Sequence, residues 1–332
     1  MRLDDLQIEL RSISQYRTEL MGCAIIGVLI MHLVSIGNIS HAAPVKLLSI
    51  IPSLAFTETF LILSGLGIYH SLSSCNGVIL FYKKRYNRIV IPYLLMAFVP
   101  VLLYVIFNKE PIWMFLYRLS MIDFWIGDGS LGMWYVAVSI LLYLLAPWLF
   151  KYGIFDSVGR LIISVGGGII VLLIIYYACN SYWESTGKWL AQIPAFLLGG
   201  FLMSLINKER KLGWKDLIGI ITITFILFIC ASKVPFLMPF SRILVRFCGL
   251  IMLCILVHFV SSSKWFIHIL QWFGTYSLEL YILHLLLYQP FKNFGLSHLF
   301  LISISIGLSI LLCQPVHKLT KKIIENDFKQ IN

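Results

Sequence analysis

The 332 residues are 59% hydrophobic and only 12% charged, with a mean hydropathy of +0.89. A soluble globular protein would carry about 45–50% apolar and about 25% charged residues. The composition therefore excludes a soluble protein and indicates a membrane protein. The 26 Lys and Arg against 15 Asp and Glu leave a net charge of +11. In a soluble protein such an excess would suggest nucleic acid binding. In a membrane protein it can instead reflect the placement of Lys and Arg in cytoplasmic loops.

Ten apolar runs, each bounded by charged residues, Pro, Gly or Asn, predict ten helices. Because one crossing of the hydrocarbon core takes about 20 apolar residues, we expect an all-α, polytopic membrane protein with about ten transmembrane helices. The predicted helices cover 19–37, 49–71, 88–107, 131–150, 161–179, 188–206, 216–232, 242–261, 274–290 and 296–317. No repeat or low-complexity tract stands out, so a single domain over 1–332 is predicted.

Lys and Arg are distributed unevenly between the two predicted sides of the membrane. If residue 1 is placed on the cytoplasmic side, 18 of the 26 basic residues fall in cytoplasmic segments. Cytoplasmic loops carry an excess of Lys and Arg, so both the short segment 1–18 and the short tail 318–332 are predicted to be cytoplasmic. The positive charge then needs no nucleic acid partner. The dense Ile, Leu and Phe content and short Lys-rich loops are typical of a bacterial plasma membrane.

Two ionisable residues lie at matching depths in the first two predicted helices. His32 and Glu58 are each thirteen residues from the predicted cytoplasmic edge, about 20 Å at 1.5 Å per residue. Consecutive antiparallel helices usually neighbour each other, so a histidine–carboxylate pair is available, in which the carboxylate fixes the tautomer and the free nitrogen takes a proton from a hydroxyl. The alternative is that each residue is satisfied separately by its own packing partners.

The cysteines indicate no metal site, and a third ionisable residue, His284, lies in a late predicted helix. The seven Cys are scattered without a CxxC pair, so no metal site is predicted. His284 lies ten residues into the ninth predicted helix. It is either a second site residue or a core histidine with satisfied hydrogen bonds.

A basic cluster, FYKKRYNRIVIP, precedes the third predicted helix and contains Lys83, Lys84, Arg85 and Arg88. Arg85 and Arg88 are three residues apart and share one helical face if the helix begins early, which suits two forked donors that bind a phosphate. The excess of positive charge on the cytoplasmic side also produces such clusters without any ligand. Both interpretations are compatible with the pattern.

Several blocks in order along nearly the whole chain resemble the acyltransferase 3 family of integral membrane acyltransferases. LMGCAIIGVLIMH resembles the family segment that ends in an essential histidine, and ETFLILSGLGIYHSL resembles the segment with an acidic residue followed by Ser-Gly. FYKKRYNRIVIPYL resembles its Arg-x-x-Arg-x-x-x-Pro-Tyr pattern, MWYVAVSILLYLLAP its Trp-Tyr segment, and FGTYSLELYILHLLL its late helix with Tyr and His. The matched residues are His32, Glu58, Ser64, Gly65, Arg85, Arg88, Pro92, Tyr93, Trp134, Tyr135 and His284.

One position departs from the family pattern. The family usually has an arginine eleven residues before the histidine, where this chain has Met21. Arg17 lies four residues earlier on the same helical face. Either Arg17 supplies the charge closer to the cytoplasmic surface, or Arg85 and Arg88 carry that role alone.

The resemblance implies transfer of an acyl group, most often acetyl, from cytoplasmic acyl-coenzyme A to a hydroxyl of a carbohydrate or lipid-linked glycan. It implies His32 and Glu58 as catalytic residues, by general-base attack or through an acyl-histidine. The donor phosphates are expected on the basic residues, and substrate on the later aromatic and histidine positions. The implied donor-binding residues are Arg85, Arg88, Arg17 and Lys84, and the implied substrate-binding residues are Trp134, Tyr135 and His284.

A transporter of a glycan or small metabolite is the main alternative, because ten helices with buried ionisable residues fit it equally well. Against it, the sequence shows no clear inverted repeat and no matching pair of Gly/Pro-broken helices. A noncatalytic partner in glycan assembly is a weaker alternative. No motif indicates the acceptor, the acyl group or an oligomeric state.

Overall fold

The computed structural model describes residues 8–39, 50–74, 77–127, 131–151 and 158–329. Almost all of this part of the chain is helical. The labelled helices are α1 (Arg11–Gln15), α2 (Arg17–Ile36), α3 (Ile50–Leu54), α4 (Thr57–Ser73), α5 (Val78–Phe107), α6 (Met114–Leu119), α7 (Ile122–Ile126), α8 (Trp134–Lys151), α9 (Val158–Ala178), α10 (Ile193–Asn207), α11 (Trp214–Lys233), α12 (Met238–Phe259), α13 (Lys264–Thr275), α14 (Ser277–Tyr288) and α15 (His298–Lys329). Single turns at Asn180–Tyr182, Trp183–Gly187 and Lys188–Leu190 join α9 to α10, and 3₁₀ turns lie at Pro235–Leu237, Val260–Ser262 and Gln289–Phe291.

Each of the ten predicted apolar runs overlaps an observed helix. Six helical segments of the described chain are long and apolar enough to cross a membrane, and two shorter apolar helices accompany them. The six are Arg17–Ile36, Val78–Phe107, Asn180–Asn207, Trp214–Lys233, Pro235–Ser262 and His298–Asn326, and the shorter two are Trp134–Phe150 and Gly166–Ala178. The protein is therefore an integral membrane protein. The total of about ten spans and the side of each terminus remain predictions.

The all-α prediction is confirmed with one small exception. Ile8–Glu9 and Lys211–Leu212 form a two-stranded antiparallel sheet, β1 and β2, in which Ile8 pairs with Leu212 and Glu9 with Lys211. Two residues are too few to show an alternating pattern, so the sequence did not predict these strands. The sheet ties the beginning of the described chain to the segment between α10 and α11.

Two predicted helix boundaries were wrong, and both changes matter for the site. The run 49–71 is two helices, because Phe56 is extended and its N–H donates to the Thr59 hydroxyl, which places Glu58 in the first turn of α4. The helix predicted from 88 begins at Val78. Lys and Arg form helices well and so do not end this helix, which places the basic cluster inside α5.

Close backbone contacts at glycines fix the helices around the site. A Cβ at Gly65 in α4 would overlap the Phe196 carbonyl oxygen in α10, and one at Gly199 would overlap the Ile62 carbonyl oxygen. Small residues allow helices to approach this closely in a membrane. α2 and α13 make a similar contact through Gly22 and Gly274.

The segment between α5 and α8 is held by one arginine outside the membrane-spanning helices. Arg118 donates to both carboxylate oxygens of Glu110, at 2.7 and 2.6 Å, and lies 3.6 Å from a carboxylate oxygen of Asp123. Hydrogen bonds to Glu110 raise the pKa of Arg118. The segment is therefore folded against itself, with Trp113 mostly exposed beside it.

Candidate functional site

Two histidines from distant parts of the sequence meet inside the helix bundle. Nδ1 of His32 in α2 lies 2.7 Å from Nε2 of His284 in α14, and the rings stack with centroids 5.0 Å apart. His284 is completely buried, whereas His32 is partly exposed. The sequence indicated each histidine separately as a candidate site residue. In the structure the two form a hydrogen-bonded pair.

The hydrogen bonds of His284 determine which nitrogen of His32 is free. Nδ1 of His284 lies 2.7 Å from the Leu280 carbonyl oxygen, which can only accept, so this nitrogen carries the proton. In a neutral imidazole the other nitrogen then accepts. Nε2 of His284 therefore accepts from Nδ1 of His32. Nε2 of His32 keeps its lone pair and can act as a base or a nucleophile.

Glu58 has a different partner from the one its depth suggested. Its Oε2 lies 3.7 Å from Nε of Arg246 in α12, and the carboxylate is almost completely buried. Arg246 also donates to the Ser53 carbonyl oxygen. His32 and Glu58 thus have separate partners, which is the alternative stated above. One indication of this role for Arg246 was present in the sequence: a charged residue inside an apolar run usually faces the interior of a helix bundle.

One aromatic ring connects the histidine pair with this ion pair. The Phe56 ring centroid lies 6.5 Å from that of His32, and the Arg246 guanidinium lies 5.9 Å from the same Phe56 centroid. Phe56 is the extended residue that separates α3 from α4. The break in the second predicted helix therefore places a ring against both groups.

A cavity of about 410 Å³ leads from one end of the bundle toward the histidines. Tyr281 lines it, and the Tyr281 ring lies 6.1 Å from the His284 imidazole, one helical turn further along α14. Tyr135 lines the same cavity with its ring 5.2 Å from that of Tyr281. We call these two tyrosines the aromatic layer: Tyr281 contacts both the cavity and the His284 ring, and Tyr135 packs beside Tyr281.

Arg17, Lys84, Arg85 and Arg88 gather at the mouth of this cavity, and we call this side of the bundle the basic end. Arg17 and Arg88 line the cavity, and all four residues line an adjoining hollow of about 390 Å³. Arg17 donates to the Leu63 carbonyl oxygen at 3.1 Å, and Arg85 donates to the Gly67 carbonyl oxygen at 3.5 Å. The two guanidinium groups are thus held on the same face of α4.

The departure at Met21 has a structural counterpart. Met21 lines the 410 Å³ cavity one turn above Arg17, whose guanidinium lies so close to Gly67 that a Cβ there would be 2.9 Å from it. The absence of a side chain at Gly67 leaves the space that Arg17 occupies. Arg17 is therefore placed beside Arg85 and Arg88 at the basic end.

Trp134 and Tyr135 are neighbours in sequence with different surroundings. Trp134 stacks on Trp189, with ring centroids 4.8 Å apart and an angle of 18° between the planes. Tyr135 packs against Phe60 and Tyr281 and lines the cavity. The structure thus brings Tyr135 to the candidate site and places Trp134 in an aromatic stack behind it.

Two further pairs line the cavity, and the sequence indicated neither pairing, although Ser64 is one of the residues matched to the family. Nδ1 of His317 in α15 lies 2.7 Å from Oε1 of Glu279, and Oγ of Ser64 lies 3.1 Å from the Tyr143 hydroxyl. Nothing in the local sequence around Glu279 indicated His317, because the two residues lie on different helices. Among the residues that the structure describes, no group of three or more His, Cys, Asp or Glu could hold a metal ion.

A family model described as an acyltransferase domain matches residues 20–317. The match contains both histidines, the Glu58–Arg246 pair, and Lys84, Arg85 and Arg88 of the basic end. The chain belongs to the acyltransferase 3 family. No curated protein and no solved structure matches this acyltransferase. Its geometry is therefore interpreted from its own residues.

Proposed function

We propose that this membrane acyltransferase moves an acyl group, most often acetyl, from acyl-coenzyme A to a hydroxyl of a cell-surface carbohydrate or lipid-linked glycan. The observation that carries the proposal is the free Nε2 of His32, fixed by His284 near a cavity that Arg17 and Arg88 line and that adjoins a hollow with Lys84 and Arg85. A base or nucleophile at one end and phosphate-binding groups at the other fit an elongated, phosphorylated acyl donor.

The donor is proposed to enter from the cytoplasm at the basic end. In this orientation both termini lie on the cytoplasmic side of a bacterial plasma membrane, in line with the excess of Lys and Arg on that side. Arg17, Lys84, Arg85 and Arg88 then bind its phosphates. Along α2, His32 lies fifteen residues from Arg17, which is about 22 Å. The flexible pantetheine arm spans this depth, and the thioester passes the layer of Tyr135 and Tyr281.

In the direct route, Nε2 of His32 takes the proton of the acceptor hydroxyl while that oxygen bonds to the thioester carbonyl carbon. The carbon–sulfur bond breaks, and the thiolate leaves with the proton from His32, which gives an ester and free coenzyme A. In the covalent route, Nε2 first bonds to the carbonyl carbon and the thiolate leaves. The acceptor oxygen then displaces His32, and its proton goes to the thiolate.

Glu58 and Arg246 are proposed to serve the acceptor side. Phe56 links Arg246 to the partly exposed edge of His32, so Glu58 acts by holding Arg246 in place and not by contact with the imidazole. Tyr135 and His284 orient the donor end and the catalytic histidine, and Trp134 supports Tyr135 through its stack on Trp189.

The proposal is tested with membranes that contain the wild type or His32→Gln, supplied with labelled acetyl-coenzyme A. The wild type should release coenzyme A and label a surface glycan, and His32→Gln should do neither. His268→Gln is the matched control, because His268 is exposed. Mass spectrometry of surface glycans with and without the protein identifies the acyl group and the acceptor. Movement of a substrate without acyl chemistry would instead support a transporter.

A further inference from the structure

A second hollow lies at the basic end, beside the β1–β2 sheet. It has a volume of about 720 Å³ and is lined by α1, by the end of α10 and by the segment that leads to β2. The pairing of β1 with β2 brings Arg11, two residues after β1, near Arg210 and Lys211.

This hollow adjoins the one that holds Arg17, Lys84, Arg85 and Arg88. Ser14 and His70 line both the 720 Å³ hollow and the 390 Å³ hollow that holds Arg17, Lys84, Arg85 and Arg88. Arg17 and Arg88 in turn line the 410 Å³ cavity below the histidines. The three spaces therefore lie side by side, from Arg210 past Arg17 and Arg88 to Tyr281.

The chemistry of the hollow fits a phosphorylated nucleoside. Arg11, Arg210 and Lys211 outnumber the one carboxylate that lines it, Glu209. Arginine forks bind phosphate oxygens in pairs. Ser14, Gln15 and Asn207 add neutral donors and acceptors of the kind that a ribose and a base use.

We propose that this hollow binds the 3′-phosphoadenosine end of the acyl-coenzyme A donor, with Arg11 and Arg210 on the 3′-phosphate. This inference rests on the proposed function. The Arg17–Lys84–Arg85–Arg88 cluster then takes the pyrophosphate, and the pantetheine arm continues into the 410 Å³ cavity. The excess of positive charge on the cytoplasmic side explains why basic residues lie here. It does not explain why they line a hollow that adjoins the one holding Arg17, Lys84, Arg85 and Arg88.

The test compares acetyl-coenzyme A with acetyl-3′-dephospho-coenzyme A as donors for the protein in nanodiscs of neutral lipid. The wild type should show a KM about tenfold or more higher for the dephospho donor, because it lacks charge-assisted hydrogen bonds. Arg210→Ala and Arg11→Ala should raise the KM for acetyl-coenzyme A toward that of the dephospho donor. The KM for the dephospho donor itself should change little.

Lys208→Ala is the matched control. Lys208 is exposed, lies two residues from Arg210 and is absent from the lining of the hollow, so its loss removes one charge from the same segment. Both KM values should stay at the wild-type level in this variant. Arg210→Lys should keep part of the preference for the 3′-phosphate, which shows that Arg210→Ala acts through charge and not through misfolding.

Several outcomes overturn the inference. Equal KM values for the two donors in the wild type, or an equal rise for both donors in Arg210→Ala, would remove the 3′-phosphate from this hollow while leaving the acyltransferase function intact. A defect of Arg210→Ala that appears only when the nanodiscs contain anionic lipid would assign the cations to a lipid phosphate. If the wild type uses neither donor, the proposed function itself fails.

Discussion

Nδ1 of His32 donates to Nε2 of His284 across 2.7 Å, and the Leu280 carbonyl oxygen fixes the proton on the far side of His284. This chain of hydrogen bonds gives His284 the role that a carboxylate often has beside a catalytic histidine. A neutral partner orients the ring and sets its tautomer without adding a negative charge inside the membrane, where charge is costly.

Removal of His284 should reduce turnover more than donor binding. His284→Leu takes away the acceptor for Nδ1 of His32, so the free nitrogen is no longer fixed, and kcat should fall by about 10²-fold, the lower range for a lost general base. KM for acetyl-coenzyme A should stay near the wild-type value. Coenzyme A release measured against donor concentration separates the two constants.

A second substitution distinguishes positioning from folding. His284→Gln offers an amide oxygen to His32 and should recover part of the lost kcat. His268→Leu, at an exposed position, should behave as the wild type. A kcat that falls equally in His284→Leu and His284→Gln would mean that His284 only fills space.

The basic end should control donor affinity. Arg88→Ala removes a guanidinium that lines both the 390 Å³ hollow and the 410 Å³ cavity, and Arg85→Ala removes the neighbouring guanidinium in the 390 Å³ hollow. Each should raise KM for acetyl-coenzyme A by about tenfold, as expected for one charge-assisted phosphate contact, while KM for the glycan acceptor stays unchanged. Lys322→Ala removes an exposed cation near the end of α15 and is the control. If both arginine variants bound the donor as tightly as the wild type, the basic residues would be explained by the excess of positive charge on the cytoplasmic side alone.

The pair of Glu58 and Arg246 should show its strongest effect on stability. Glu58→Leu leaves the Arg246 guanidinium, which is 14% exposed, without its carboxylate. Breaking a buried ion pair from one side costs about 3–5 kcal/mol, so the thermal midpoint in detergent should drop sharply. The double variant Glu58→Leu/Arg246→Leu should recover most of the folded protein, because it leaves no unpaired charge.

An exposed ion pair provides the comparison for that experiment. Lys188 and Glu184 lie 3.5 Å apart with side chains 39% and 66% exposed, and such pairs contribute about 0–1 kcal/mol. Glu184→Gln should therefore shift the thermal midpoint little. A double variant that folds but transfers no acyl group would place the pair in the acceptor site, whereas full activity would limit it to folding.

The helices could be predicted from the sequence because a membrane span leaves a long apolar run. The depth predicted for His32 rests on the same rule, since one helix has a fixed rise per residue. The partners of His32 and Glu58 could not be predicted in the same way. His284 and Arg246 come from distant helices, and apolar length does not specify which helices become neighbours. Equal depth made Glu58 available to His32. In the structure the helix breaks at Phe56, and Glu58 pairs with Arg246 instead.

Gly65 in α4 should tolerate no side chain, although alanine is a better helix former. A Cβ there would overlap the Phe196 carbonyl oxygen, and backbone cannot move aside as a flexible side chain can. Overpacking costs about 1–3 kcal/mol or more, so Gly65→Ala should lower the thermal midpoint and the monodisperse fraction. Because Gly67, against which Arg17 rests, lies on the same helix, KM for the donor should rise as well. Gly219→Ala meets nothing within 4 Å and should be neutral or slightly stabilising. Equal midpoints for the two variants would show that α4 and α10 do not approach this closely.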